Sequence, residues 1–283
     1  MSDSSEISPV RQVSWVRVAE SLAWRELARF FRQRNRVIGA IGTPLFMWLL
    51  FGFGLERSFE VATSENTKTS FLEYYFPGSL VLILMFTAIY TTISVIEDRQ
   101  AGFLQGVLIA PVSRHAMVAG KVLGGSVIAM LQGTLFLGAG LFLDVSWSLS
   151  QFSTLVGVLF LASMMMTCIG FSFAWKMEST QGFHAIMNLV LMPMWLLSGA
   201  FFPVPVSGSG QISQEVLHWM MKVNPLTHVV SLVRNLLYGV RLSEEAFWEP
   251  SQSISILVIV VATALFYGLA IKVCKRPIAS DLK

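Results

Sequence analysis

Charged side chains are scarce in this sequence. Asp, Glu, Lys and Arg make up 13% of its 283 residues, whereas soluble domains hold about a quarter. Apolar residues make up 54%, and the mean hydropathy is +0.64. This imbalance indicates an integral membrane protein. The formal net charge of +3 is small and its charges are scattered, which argues against binding to nucleic acid.

Cysteine is also rare. Cys168 and Cys274 lie in or beside apolar runs far apart in the chain, so we expect two buried thiols rather than a disulfide framework. The first ten residues, MSDSSEISPV, are polar and acidic, and no hydrophobic stretch precedes residue 37. Because the pattern of a cleaved signal peptide is absent, we expect the first apolar run to remain in the mature protein.

Sequence motifs of catalysis are missing as well. Gly120-Lys121 lacks both the upstream glycine and the following hydroxyl residue of a G-x-x-x-x-G-K-[ST] phosphate-binding loop. There is no H-E-x-x-H metal motif, and the four histidines are isolated from one another. The SGSG stretch at 207–210 lacks the strand–turn–helix context of a nucleophile elbow. We therefore expect no enzyme activity, no metal and no cofactor on this chain.

Six apolar segments are long enough to cross a membrane as helices, which takes about 20 residues. Residues 183–200 are the fifth, and an irregular turn bounded by prolines, including Pro203, follows them. We predict an all-α integral membrane protein with a six-helix domain at 37–273, a preceding tail and interfacial helix at 1–36, and a tail at 274–283. The other five segments are 37–55, 76–96, 116–143, 152–175 and 254–273.

The interiors of these predicted spans carry almost no ionisable side chains. Lys121 lies near the start of the third segment, where its long side chain can reach the membrane interface, and Glu97 closes the second segment at the same interface. A carrier coupled to protons or sodium normally needs a buried carboxylate or a broken helix near the midplane. Because neither is visible, transport by this chain would need energy from outside it.

Lys and Arg are distributed unevenly between the two sides of this arrangement. Fifteen of the 20, counting Lys272 at the end of the sixth segment, lie in the two termini and in the segments 97–121 and 176–183, and five lie in the segments opposite. Because cytoplasmic flanks are enriched in Lys and Arg, the first set is expected to face the cytoplasm. Both termini of this multi-pass protein are therefore predicted to be cytoplasmic.

An amphipathic helix is predicted at 13–36, ahead of the first span. Apolar residues recur at helical spacing on one face, while Arg25, Arg29, Arg32 and Arg36 follow a 4-3-4 spacing on another. We expect the helix to lie in the cytoplasmic interface, with its apolar side in lipid and its arginines near anionic headgroups. The alternative is a soluble helix packed on another domain, and the sequence offers no such domain.

The segment between the fifth and sixth spans, 206–253, is longer than a simple turn. An apolar stripe begins after Asn224-Pro225 and ends at Gly239, and it is too short and, at Arg234, too charged to span. A pair of re-entrant or interfacial helices on the outer side fits this pattern. Irregular backbone at membrane depth persists only where protein covers it.

The loop between the second and third spans holds more structure than a connection requires. After three charged residues, apolar side chains on one side predict a short helix that a proline ends, and two glycines leave part of its surface bare. Such a helix is suited to transmit force from a docked soluble partner, and a helix resting on lipid is the alternative. The prediction rests on Glu97, Arg99, Gly102, Phe103, Leu104, Val107, Leu108 and Pro111.

This loop resembles the cytoplasmic signature of the ABC-2 type transporter permeases, roughly R-E-x-G-T-L-E-x-L-L-x-x-P followed by a Gly-Lys pair. The sequence reads RQAGFLQGVLIAP at 99–111, and Gly120-Lys121 follows. LSGAFFPVP at 197–205 and NPLTHVVSLVR at 224–234 are similar to the family's second signature, around its fifth span and external re-entrant helices. The resemblance covers nearly the whole chain and is nearest to the daunorubicin-resistance and nodulation-export branch of bacterial permeases.

The resemblance implies a permease of an ATP-driven exporter in the bacterial cytoplasmic (inner) membrane. It implies a homodimer, or a dimer with a related permease, in contact with membrane lipid and bound to two copies of a separate ATP-binding subunit. The 97–111 segment and the N-terminal helix would carry the motion of that subunit into the spans. The cargo would be hydrophobic or amphipathic: a drug, a lipid or a glycolipid. A secondary carrier or channel, and a membrane enzyme or non-transporting scaffold, are the alternatives.

Overall fold

The computed structural model describes residues 14–55, 61–62, 68–109, 112–143, 145, 147–208, 211–239 and 247–275. Six helices in this part of the chain are long and apolar enough to cross a membrane. The predicted all-α membrane fold with six spans is therefore confirmed. In chain order the helices are α1 (Trp15–Arg32), α2 (Arg34–Leu55), α3 (Phe71–Gln100), α4 (Phe103–Ile109), α5 (Arg114–Leu137), α6 (Leu149–Ala174), α7 (Thr180–Trp195), α8 (Ile212–Val223), α9 (Pro225–Tyr238) and α10 (Gln252–Cys274).

Shorter elements connect some of these helices. Two-residue strands at Val61–Ala62 and Lys68–Thr69 pair antiparallel between α2 and α3. A 3₁₀ segment, Gly138–Leu143, extends α5, and a single π turn, Leu196–Ala200, extends α7. In the π turn Gly199 has a φ of +74°, a conformation that glycine adopts without strain. The prolines predicted an irregular turn after the fifth span. The irregular backbone instead begins inside the span, at the π turn.

α3 is the central helix of the bundle. In its most apolar window 89% of the residues are buried, against 22% in α2 and in α10. It begins with a capping box, in which the side chains of Ser70 and Glu73 accept from each other's backbone N–H groups. The hydroxyls of Thr87 and Thr91 donate to carbonyls one turn earlier in α3, so these polar side chains are satisfied inside the bundle. The outer helices α2 and α10 expose their apolar side chains at the surface of the bundle.

α1 packs directly on α5. A Cβ atom at Gly120 would lie 2.7 Å from the Ala19 carbonyl oxygen, and one at Gly124 would lie 2.9 Å from Cβ of Glu26. Larger residues at either glycine would push the two helices apart. The apolar side of α1 therefore lies against protein, where the sequence analysis expected lipid. Trp15, Trp24 and Phe31 remain exposed on its other sides.

The predicted N-terminal helix also ends earlier than expected. α1 stops at Arg32 because Gln33 adopts a φ of −94° and a ψ of 73°, which break the helical path. α2 begins at Arg34, so Arg36 belongs to the first span rather than to the amphipathic helix.

α8 and α9 are two helices between the fifth and sixth spans, where the sequence analysis expected a re-entrant or interfacial pair. Asn224 caps α9, Pro225 occupies its first position, and Gly239 ends it with a φ of +66°. The Tyr238 hydroxyl donates to the Glu73 carbonyl in the first turn of α3, at 2.9 Å. The pair therefore lies at the end of α3 opposite to α4. The 30 residues of α3 separate these two ends of the bundle by about 45 Å.

Candidate functional site

A cluster of charged side chains joins four helices at the last turn of α3. We call it the ion cluster. α3 contributes two successive carboxylates, Glu97 and Asp98, which a helix directs about 100° apart. Because of this divergence the two carboxylates reach different sets of cations, and Arg29 alone binds both. The ion cluster consists of Glu26, Glu97 and Asp98 with Arg25, Arg29, Arg36 and Lys121.

Asp98 is the centre of the ion cluster. The Arg25 guanidinium donates to both of its carboxylate oxygens, at 2.8 and 2.7 Å, and Arg29 donates to Oδ1 at 2.6 Å. The Lys121 ammonium donates to Oδ2 from α5. The hydrogen bond from Arg25 to Asp98 raises the pKa of the Arg25 guanidinium above its usual range. Such bidentate, charge-assisted pairs are among the strongest hydrogen bonds in proteins.

Two further carboxylates complete the ion cluster. Glu97 accepts from Arg29 at 2.6 Å and from Arg36 at the start of α2. Glu26 of α1 accepts from Lys121 at 2.6 Å. The ion cluster therefore ties α1 and α2 to α3 and α5, the two helices that flank the 97–111 segment.

The interior of the ion cluster is closed to solvent. Glu26 is 4% exposed, Asp98 1% and Lys121 5%. The expectation that Lys121 extends to the membrane interface is wrong, because Glu26 and Asp98 hold its ammonium group inside the bundle. Charges this deeply buried are stable only when paired, so removal of one partner leaves an uncompensated charge.

The arginines of the N-terminal segment were expected near lipid headgroups, and three of the four have another partner. Arg25, Arg29 and Arg36 bind carboxylates of α3, with side chains 22–34% exposed. Arg32 is exposed, and within the described part of the chain it makes no ion pair. These pairings link residues about 70 positions apart, so helical spacing alone could not reveal them.

Sequence reasoning missed Glu26, although the sequence carried a signal. Glu26 lies four residues after Leu22 and four before Phe30, on the apolar stripe of α1. A carboxylate at such a position must find a partner when the stripe is buried. Lys121, at the start of the third span, is that partner.

Arg99 connects the end of α3 to a different helix. Its guanidinium donates to the Trp175 carbonyl at 2.6 Å and to the Met177 carbonyl, at the C-terminal end of α6. The neighbouring Gln100 amide donates to the Glu178 carbonyl at 2.8 Å. A cation at this helix end satisfies free carbonyls and complements the helix dipole. The elbow between α3 and α4 is thus bonded to the connection between α6 and α7.

The predicted apolar face of α4 is only partly available to a partner. Leu104 is 2% exposed and packs into the core of the chain itself, so it cannot belong to an open docking face. Val107 is half-buried, and Phe103 is 37% exposed beneath the Arg25 guanidinium, 3.9 Å from its ring centroid. Gly102, with a φ of +72°, makes the turn from α3 into α4. The Leu108 side chain and Pro111 lie outside the described part of the chain.

A groove separates α4 from α1. Its volume is about 470 Å³. Because α1 packs on α5 and α4 packs on α3, the groove is a gap between two elements that rest on different spans. We call it the α1–α4 groove. Its lining is largely apolar and consists of Arg17, Val18, Ser21 and Leu22 from α1, with Phe103, Gly106, Val107 and Val112.

The residues predicted between the fifth and sixth spans gather around the π turn at the other end of the bundle. The Asn224 amide donates to the Met194 and Leu197 carbonyls, at 2.5 and 3.0 Å. Arg234 is 6% exposed and donates to the Gly199 carbonyl at 2.9 Å. These bonds satisfy carbonyls that the broken helix leaves free. Pro225 begins α9, and Pro203 lies half-buried in the loop after the turn.

Comparison with known proteins places these features in a family context. The family model of the ABC-2 type transporter matches residues 18–238. A Cyanophora paradoxa protein described as a transport permease, ycf38, is 25% identical over 262 residues, which cover 87% of each chain. The daunorubicin resistance ABC transporter permease protein DrrB1 of Streptomyces coeruleorubidus is 25% identical over 238 residues, covering 80% of this chain and 75% of that one. The region matched by the family model includes the whole ion cluster and every lining residue of the α1–α4 groove except Arg17.

Proposed function

Since this chain belongs to the ABC-2 type transporter family and is a membrane-spanning permease subunit of an ABC transporter, we propose that it works as a dimer that exports a hydrophobic or amphipathic compound. The family implies an ATP-binding partner subunit, and the chain itself carries no phosphate-binding loop. ATP hydrolysis therefore belongs to the partner. The membrane is the bacterial cytoplasmic membrane, with the ion cluster on the cytoplasmic side.

The observation that carries the proposal is the α1–α4 groove beside the ion cluster. An apolar groove about 470 Å³ in volume, with exposed side chains at its rim, offers a place for a side chain or helix end of the ATP-binding subunit. The ion cluster bonds α1 to α3 and α5, so a displacement of α1 and α4 would reach both spans. The docking surface is therefore the groove between two helices, rather than the apolar face of α4 alone.

A dimer is supported by two amide side chains, Gln181 and Asn188, on an exposed face of α7. Gln181, Ala185 and Asn188 follow a 4-3 spacing and are all exposed, whereas Phe183 and Met187 are buried. An amide that faces hydrocarbon without a partner is costly. Because an amide both donates and accepts, it can pair with its own copy across a twofold axis. We assign this face to the seam between two permease chains, along which the cargo would pass.

A secondary carrier is the competing function, and the buried ion cluster could be taken to favour it. The cluster lies at the end of α3 rather than at its middle, and each of its three carboxylates pairs with at least two cations. A coupling site for protons or sodium would need an oxygen ligand near the midplane that can be released. The paired charges of the cluster instead fit a structural role, in which they hold four helices together.

Reconstitution into sealed vesicles separates the two functions. The permease alone is expected to neither hydrolyse ATP nor move a panel of fluorescent amphiphiles. Addition of a co-expressed ATP-binding-cassette subunit from the same genome is expected to bring ATP-dependent movement of at least one of them. Movement driven by a proton or sodium gradient in vesicles that hold the permease alone would contradict the proposal.

A further inference from the structure

The last two residues of α3, Arg99 and Gln100, are bonded to the chain that leads from α6 into α7. The Arg99 guanidinium donates to two carbonyls of this connection, and the Gln100 amide donates to the Glu178 carbonyl. Glu178 directly precedes Ser179, the N-cap of α7. We call this end of α7 its inner end and the π turn its outer end. The elbow between α3 and α4 is therefore tied to the inner end of α7.

α4 is joined to this elbow without an unbonded linker. The Gly102 N–H donates to the Arg99 carbonyl at 3.0 Å, and the Gly106 N–H donates to the Gly102 carbonyl at 3.3 Å. Leu104 of α4 is buried in the core of the chain. A displacement of α4 by a docked partner would therefore reach Arg99 within about one turn of chain.

α7 is easier to displace than α3. In the most apolar window of α3 89% of the residues are buried, and this helix packs against α2, α5, α6, α7 and α9. In the window of α7 39% of the residues are buried, and this helix packs mainly on α3. Because interiors are close-packed, a shift of α3 would disturb the whole bundle, whereas a shift of α7 disturbs one face.

The outer end of α7 is anchored to α3. The Trp195 indole N–H donates to the Gly78 carbonyl at 2.9 Å, and the Tyr74 hydroxyl donates to the Gly199 carbonyl at 2.7 Å. A Cβ atom at Gly78 would lie 2.5 Å from that of Ala200, so the two backbones are in close contact. The outer end of α7 is thus held by hydrogen bonds and by tight packing.

The same outer end interrupts the helix. Leu197, with a ψ of 18°, and Gly199, with a φ of 74°, both leave the helical path. Hinges in proteins are usually a few residues at the end of an element that absorb a change in φ and ψ. An anchored turn with a broken backbone is a suitable pivot for the regular helix that precedes it.

We infer that α7 is a lever, which pivots on its π turn and is driven at its inner end through Arg99. Motion of α4 with the ATP-binding subunit would then open and close the inner part of the seam, where Gln181 and Ala185 lie. Arg99 is a positioning residue in this scheme, because it moves the helix that lines the path and does not contact the cargo. The inference rests on the proposed function, since it requires both the ATP-binding subunit and the seam.

Distances between spin labels on the two chains of a dimer test the lever. The permease, free of native cysteines and co-purified with the ATP-binding subunit, is labelled at Ala185→Cys or at Leu196→Cys, which are both exposed on α7. Dipolar distances are recorded without nucleotide and with ATP and vanadate. The change at 185 is expected to be about sixfold larger than at 196, because the positions lie about 20 and about 3 Å along the helix from the middle of the π turn.

Substitutions of Arg99 test how the lever is driven. Arg99→Gln is expected to abolish the change at 185 and ATP-dependent export, and to keep the ATP-binding subunit, because Arg99 does not line the α1–α4 groove. Arg99→Lys retains the positive charge and is expected to keep part of the change. Arg114→Gln is the matched control, since Arg114 donates to the backbone carbonyl of Cys274 at the end of α10, at 2.9 Å. This control removes the same kind of bond outside the lever and is expected to leave the change and export as in the native chain.

Two results would overturn the lever. A change at 185 of native size in Arg99→Gln would show that α7 is not driven through Arg99, and equal changes at 185 and 196 in the native chain would show that the π turn is not a pivot. Both results can occur with ATP-dependent export intact, so the proposed function would survive them. A native complex without ATP-dependent export and without a dipolar signal between two copies would contradict the proposed function and the lever together.

Discussion

At the scale of single residues, Lys121 and Glu26 show how this membrane protein buries charge. Each is less than a tenth exposed, and the two side chains are 2.6 Å apart. Buried pairs of this kind contribute less to net stability than to specificity, because desolvation offsets much of the attraction. Removal of one partner is different, since the remaining charge stays buried and loses its nearest counter-charge. The pair therefore fixes where α1 lies on α5.

Removal of Lys121 alone should destabilise the chain more than removal of the pair. Lys121→Met leaves Glu26 with only Arg25 at 3.3 Å and is expected to cost about 3–5 kcal/mol. Glu26→Gln added to Lys121→Met should restore part of that loss. Thermal unfolding of the detergent-solubilised permease measures both. Strict additivity of the two single substitutions would show that the side chains do not interact.

At the scale of elements, the sequence predicted those features that depend only on residues close together in the chain, such as the spans and the ends of a helix. Six apolar runs gave the six spans, and Asn224-Pro225 and Gly239 gave the start and end of α9. These signals are local, because a cap or a proline acts within one turn. The 4-3-4 spacing of arginines was expected to form one face of a single helix, and Arg25, Arg29 and Arg32 lie on α1 whereas Arg36 lies on α2.

What the sequence could not predict is which faces meet. Leu104 and Leu22 have the pattern of an amphipathic face open to a partner or to lipid, and both are buried in the chain's own core. Arg25 and Asp98 are 73 positions apart, and only the packing of α1 on α5 brings them together. The choice between lipid, partner and core is a tertiary property, and periodicity carries the same signal for all three.

The proposed seam on α7 can be tested by disulfide cross-linking. In a background free of native cysteines, Ala185→Cys is expected to form a dimer in membranes under mild oxidation, because it lies between the exposed amides Gln181 and Asn188. Leu265→Cys is the control, since it is 68% exposed on α10 and is expected to face lipid. Efficient cross-linking through position 265 and none through 185 would move the seam to α10.

At the scale of the whole molecule, the two ends of the bundle have different chemistry. One end holds the ion cluster, α4 and the α1–α4 groove, and the other holds α8, α9 and the π turn. Fifteen of the 20 Lys and Arg residues belong to the segments grouped with the first end. The positive-inside rule therefore predicts that the ion cluster faces the cytoplasm.

Cysteine labelling tests this orientation. Cysteines introduced at Ser5 and Ser280 are expected to react with a membrane-impermeant reagent only from the cytoplasmic side, and one at Ser64 only from outside. The even number of spans requires the first two positions to share a side. Labelling of Ser5 and Ser280 from opposite faces would contradict the six-span arrangement.

Co-purification of the ATP-binding subunit with variants of α4 tests the central claim, that the α1–α4 groove is the docking surface for that subunit. Gly106 lines the groove, and a Cβ atom there meets nothing within 4 Å, so Gly106→Trp fills the groove without disturbing the fold. Gln105→Trp adds the same side chain to an exposed position outside the lining. Gly106→Trp is expected to lose the ATP-binding subunit and ATP-dependent export together, while Gln105→Trp retains both. Retention of the subunit and of export by Gly106→Trp, at the level of Gln105→Trp, would contradict the account.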